Sequence, residues 1–196
     1  MTDITGMQES LGTPTRDVLL KDIIVGSEAS QKMKANAQHF IAGLVPFLTL
    51  WGTNGTGKTT TLMAIANELT AKGTACVYVT AADVMEYIKD GIGDQDNSAD
   101  HRVGKIAKLS ILCLDEISQV KWTEYVSEKL ETILDRRYRM ELQTALALDQ
   151  DPQDVLPPRF YSRMRSGAIV QIGDPDKRPV MAQQMRTIAL DRGRGE

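Results

Sequence analysis

One octapeptide concentrates the chemistry of this sequence. Gly52-Thr53-Asn54-Gly55-Thr56-Gly57-Lys58-Thr59 fits the pattern G-x-x-x-x-G-K-[ST] at every fixed position. Phosphate oxygens need several convergent main-chain N–H donors, and a glycine-rich turn at a helix N-terminus brings them close without side-chain clashes. Gly52, Gly55 and Gly57 permit that approach, and Thr53, Asn54, Thr56 and Thr60 complete the segment expected to wrap the phosphates. Lys58 supplies a point charge to the β- and γ-phosphates, and the Thr59 hydroxyl is the expected Mg2+ ligand. A second string, Ser110-Ile111-Leu112-Cys113-Leu114-Asp115-Glu116, is an apolar run ending in two carboxylates. Asp115 suits a contact to Mg2+, direct or through water, and Glu116 suits polarising a water for attack on the γ-phosphate. An apolar run ending in acids is common by itself. Beside the glycine loop, it reads as the metal-and-water half of one site, and Glu116 favours hydrolysis over binding alone.

These residues need a strand ahead of the loop and a helix behind it. Phe47 to Trp51 is a short apolar run, and Lys58 to Ala71 has a helical pattern closed by Gly73. Further strands are expected at Ala75–Thr80, Ile111–Leu114, Gln143–Leu148 and Ala168–Ile172. Helices are expected at Asp83–Lys89, about Arg102–Leu109, Thr123–Arg139 and near Arg159–Arg165, with the polar stretch from Gly91 to Asp100 a loop and a proline-broken segment before Arg159. The alternation predicts an α/β fold with a mostly parallel five-stranded sheet between helical layers. In such a sheet, the C-terminal strand ends carry the ligand, which is where Asp115 and Glu116 would fall. Ahead of the core, Ser27 caps a helix reaching about Ala42. The expected division is an N-terminal tail and approach helix over residues 1–40, a core over 41–175 and a basic tail over 176–196.

The chain has 196 residues, 42% hydrophobic and 25% charged, which suits one folded domain and excludes disorder and collagen-like repeats. A formal charge of -3 excludes a uniformly basic coat. From Arg159 onward, however, eight basic residues face four acidic ones. The least charged stretch, Phe40 to Trp51, is too short to cross a membrane and contains Pro46. The N-terminus lacks the pattern of a secretion signal, so a cytoplasmic setting is expected. Cys76 and Cys113 sit in apolar runs and read as buried thiols; with two histidines, zinc-ligand spacing is absent. Lys105 and Lys108 lie three apart on one helix face, either solvated or touching the phosphates of single-stranded DNA. Trp51 reads as packing beside the loop, and Trp122 as an assembly surface.

With both motifs in place, the chain resembles the AAA+ class of P-loop NTPases, and within it the replicative helicase loaders of the DnaC/DnaI type and their IstB-like relatives. GTNGTGKT, ILCLDE, LDRRYRMELQTALAL (Leu134 to Leu148) and RFYSRMRSG (Arg159 to Gly167) carry the resemblance, which spans about Phe40 to Ile172. It implies a three-layer αβα core, ATP with Mg2+ as ligands, self-association, and a replicative helicase and single-stranded DNA as partners. Arg163 matches the arginine finger that reaches a γ-phosphate on an adjacent subunit, with Arg159 in support; a solvated helix face is the alternative for both. Asp149 falls where the family usually has a polar sensor-1 residue, most often Asn, with Thr144 earlier on the same strand. Ile23 and Ile24 match the segment near the base. The sequence leaves too little after Ile172 for a separate helical lid, and only some 45 residues before the first core strand to grip a helicase. The approach helix is either a docking arm or packing beside the adenine pocket. Two other readings stay open: an IstB-like ATPase serving a transposase, and a nucleotide-regulated adaptor with little hydrolysis.

Overall fold

The computed structural model describes residues 17–173, so the first tail and the basic tail at 176–196 lie outside the described residues. Strands β1 (Phe47–Trp51), β2 (Cys76–Thr80), β3 (Ile111–Asp115), β4 (Thr144–Leu148) and β5 (Ala168–Gln171) form one sheet in the order β2-β3-β4-β1-β5. Every pairing is parallel. The helices are α1 (Glu28–Ile41), α2 (Lys58–Ala71), α3 (Ala81–Lys89), α4 (Ala99–Ala107), α5 (Glu124–Arg139), α6 (Pro152–Val155) and α7 (Pro158–Met164). Short 3-10 turns occupy Leu20–Asp22 and Ile117–Gln119.

The strands are apolar on both sides because helices cover both faces. Leu48 and Leu50 of β1, with Ala145 and Ala147 of β4, face α1 and α2; Leu146 and Leu148 face α3, α4, α5 and α7. Small alanines on the α2 side let that helix lie close to the sheet. Helix α1 buries Met33, Ala37 and Phe40 and touches β1, β5 and α2, so the approach helix is packed into a core layer.

Two expectations change. The loop from Gly91 ends early, because the Ser98 hydroxyl accepts the His101 N–H at 3.4 Å and starts α4 at Ala99. The polar Asp100-His101-Arg102 start masks a helix whose buried face is Val103, Ile106 and Ala107. The prolines in the segment before Arg159 begin helices: Pro152 and Pro158 occupy the first turns of α6 and α7, where the missing N–H costs nothing. Ahead of α1, the 3-10 turn at Leu20–Asp22 is tied to α2, with Asn67 Nδ2 donating to Val18 O at 2.9 Å and Leu20 N to Glu68 Oε1 at 2.8 Å.

Arg137 of α5 is fully buried. Its Nε–H donates to Thr144 Oγ1 at 2.8 Å, Nη1 to Leu109 O at 2.6 Å, and Nη2 to Gln143 O. Nη1 also reaches the Ile106 and Ala107 carbonyls at the C-terminal end of α4, where the helix dipole favours a cation. Burial pushes its pKa down to about 10, which leaves it protonated at neutral pH. No carboxylate pairs with it among the described residues. This guanidinium fastens α4 and α5 to the start of β4.

Candidate nucleotide site

The C-terminal ends of β1, β3 and β4 open into a cavity of about 350 Å³, within the range of small-molecule sites. Asn54, Gly55, Gly57, Lys58, Thr59, Thr60, Asp115, Glu116 and Asp149 all line it. Residues from three separated segments of sequence therefore meet at one place. Strand β4 lies between β1 and β3, so Asp149 sits between the glycine loop and the acidic pair.

Gly52, Gly55 and Gly57 have φ of 144°, 80° and 100°. At Gly52 the constraint is also spatial: a Cβ there would stand 2.1 Å from the Ile172 carbonyl oxygen. Ile172 N–H donates to Trp51 O at 2.7 Å, so the residue after β5 braces the base of the loop. Thr56 Oγ1 donates to Thr53 O at 3.0 Å and holds the loop closed on itself. Lys58 is buried at the start of α2, and its ammonium donates to Gly52 O at 2.6 Å and Thr53 O at 2.8 Å. The cation is thus held inside the turn, where a phosphate would compete with those carbonyls.

Asp115 is 2% exposed, with each oxygen holding one donor: Tyr78 Oη–H to Oδ2 at 2.8 Å and Glu116 N–H to Oδ1 at 2.8 Å. Glu116 is exposed and left-handed, with φ 55° and ψ 34°, a conformation that costs a non-glycine residue about 1 kcal/mol. Its pKa is raised, first by burial of its carboxyl and then by the charges of Asp115, Asp83 and Asp149. Asp149 accepts hydrogen bonds from the Ser118 hydroxyl and from Gln119 Nε2 at 2.6 Å, and its own N–H donates to Ser118 Oγ at 3.0 Å. It therefore locks the turn that follows the acidic pair. Thr144 lies at the other end of β4, under Arg137, away from the cavity.

The donor set fits magnesium triphosphate. Among the described residues no three His, Cys, Asp or Glu side chains group to hold a metal unaided. Thr59 and Asp115 line one cavity and could offer two oxygens, the sparse protein contribution that Mg2+ shared with phosphates takes. Ile23, Ile24 and Met63 give the cavity its apolar wall, suited to a base.

Arg163 is not among the lining residues. It sits on α7 with Nε–H donating to Asp135 Oδ1 at 2.8 Å and its guanidinium carbon 4.7 Å above the Tyr138 ring. The hydrogen bond it donates to Asp135 raises its pKa further. Tyr138 neighbours Phe47, at the start of β1, whereas the glycine loop follows the end of β1, about 15 Å along the strand. Arg159 is exposed on the same helix. Lys105 donates to Asn97 Oδ1 at 3.1 Å, and Lys108 is exposed beside it. Trp51 is half-buried against the core, and Trp122 stacks edge-on against Phe160 at 5.7 Å. Three features escaped the sequence reading: the Tyr78 clamp, the Ser118–Gln119–Asp149 lock, and the anchoring of residues 18–20 by α2. Only the β2 pattern carried a trace of the first, since Tyr78 and Cys76 alternate onto one strand face.

A parallel sheet in this order, with the glycine loop after β1 and the acidic pair at the end of β3, defines an AAA+ P-loop ATPase core. The model of the bacterial DnaA ATPase domain matches residues 21–171, and the chain belongs to that family. It is similar to the replicative helicase loader DnaC of Escherichia coli, 27% identical over 142 residues covering 71% of this chain and 58% of DnaC. It is also similar to the replicative helicase loader DnaI of Bacillus subtilis, 29% identical over 59% of this chain and 37% of DnaI. The chain thus spans less than two thirds of these curated relatives. AMPPCP-bound DnaA from Aquifex aeolicus shares the fold, with a TM-score of 0.76 at 23% identity over 88% of this chain and 56% of DnaA. No helix among the described residues is long and apolar enough to cross a membrane.

Proposed function

We propose that the chain binds and hydrolyses MgATP as a replicative helicase loader in DNA replication, with each ATP shared between two copies. The observation that carries this is the charge of the cavity. Among the described residues its lining holds one cation, Lys58, against Asp22, Asp115, Glu116 and Asp149. A triphosphate brings further negative charge, so tight binding and catalysis call for cations from elsewhere. Thr59 and Asp115 would hold Mg2+, which would neutralise charge at the phosphates. An arginine on a neighbouring copy supplies the rest, and Arg163 suits it: remote from its own cavity and, among the described residues, with only its Nε–H spent on Asp135. Glu116 then accepts a proton from water as that water attacks, and the loop amides and Lys58 hold the transferring phosphate. The relatives named as helicase loaders support the helicase as partner. Single-stranded DNA fits the basic Lys105–Lys108 edge, and the setting is cytoplasmic.

Calorimetry should register MgATP uptake by the wild type and at least a hundredfold loss of affinity in Lys58→Ala. Mixing inactive Lys58→Ala with inactive Arg163→Ala chains should restore part of the phosphate release, because one hybrid interface is intact. No recovery from two folded variants would refute the shared site. A nucleotide-regulated adaptor is the second reading, favoured by Asp149, which accepts hydrogen bonds where a donor to phosphate is expected. Equal, negligible phosphate release by wild type and Glu116→Gln would select it. Capture with a transposase rather than a hexameric helicase would select the IstB-like reading.

A further inference from the structure

We propose that Tyr78 is a positioning residue for the metal-binding carboxylate: its hydroxyl fixes the rotation of Asp115 and so sets the affinity of the site for the Mg2+ that accompanies nucleotide. The inference rests on the MgATP reading above. Tyr78 is 3% exposed on β2, and the register pairs it with Cys113, which puts Asp115 diagonally across, two residues further along β3. That diagonal is within reach of an aromatic side chain, and the phenol closes it at 2.8 Å.

The carboxylate needs such a partner. Asp115 is buried, is in no ion pair among the described residues, and has one main-chain donor, the Glu116 N–H on Oδ1. Without the phenol, Oδ2 would have no donor among the described residues, and the group would be free to turn about its χ2 angle. With both oxygens held, one rotamer is fixed beside the cavity that Asp115 lines with Thr59. Tyr78 is itself absent from that lining, so it acts through Asp115. Outer partners of metal-binding carboxylates commonly tune metal affinity by tenfold or more.

Tyr78→Phe removes one oxygen and keeps the ring in the core. In the full chain, Mn2+ uptake in the presence of ADP can be followed by the relaxation of water protons. The half-saturating Mn2+ concentration should rise about tenfold in Tyr78→Phe, while ADP affinity in EDTA stays within about twofold of wild type. Val77→Ala, a neighbouring core truncation on the opposite strand face, controls for lost stability and should leave the metal requirement unchanged. In an Asp115→Asn background, Tyr78→Phe should add nothing. A metal requirement unmoved by Tyr78→Phe, or moved as far by Val77→Ala, overturns the role of Tyr78 and leaves the MgATP reading intact. A wild type whose ADP uptake ignores Mn2+ overturns both.

Discussion

Glu116 sits among three other carboxylates at the mouth of the cavity. Burial and the nearby Asp115, Asp83 and Asp149 raise its pKa, so the folded chain holds that proton more tightly than the unfolded chain does. The stabilising share is complete below the ordinary carboxylate range and disappears as pH climbs through the raised value. Glu116→Gln removes the repulsion and should melt about 2 °C above wild type near pH 8 in metal-free buffer, the gap closing toward about pH 4. The gain is small because the side chain is exposed and its field is screened. Thermal melts across that range check it; a gap that widens on acidification contradicts the sign. At this scale the sequence was informative wherever chemistry fixes spacing, as at Lys58, Thr59, Asp115 and Glu116. It was silent where a partner comes from another strand, as with Tyr78 on Asp115, because no local pattern encodes a diagonal contact.

Among elements, the junction of α4, α5 and β4 depends on one side chain. Arg137→Met should cost about 3 kcal/mol in urea unfolding, since the Leu109 and Gln143 carbonyls and the Thr144 hydroxyl lose their donor inside the core. An unchanged midpoint would mean that water replaces the guanidinium. The turn between α7 and β5 is similarly exacting: a Cβ on Gly167 would lie 1.9 Å from Phe47 O. Gly167→Ala should therefore lower stability by about 2 kcal/mol, read in the same denaturation. Apolar runs such as FLTLW and ILCL revealed their strands because both faces are covered. Helix α4 was half-hidden since charges fill its first turn, and an arginine inside the core runs against the usual preference of that side chain for solvent.

At the scale of the molecule, the nucleotide cavity and Arg163 lie toward opposite ends of the sheet. If catalysis joins two copies, phosphate release per chain should climb with protein concentration by about tenfold or more before levelling, and Arg163→Lys should not restore it, because an ammonium lacks the planar two-pronged fork. A flat dependence would place the whole reaction within one copy. The sheet order was beyond the sequence, which cannot say that β4 inserts between β1 and β3. That order has a temporal side. Ile172, next to the loop it braces, is translated some 120 residues after Gly52. A nascent chain on the ribosome therefore carries the glycine-rich motif long before it carries the residue that braces it.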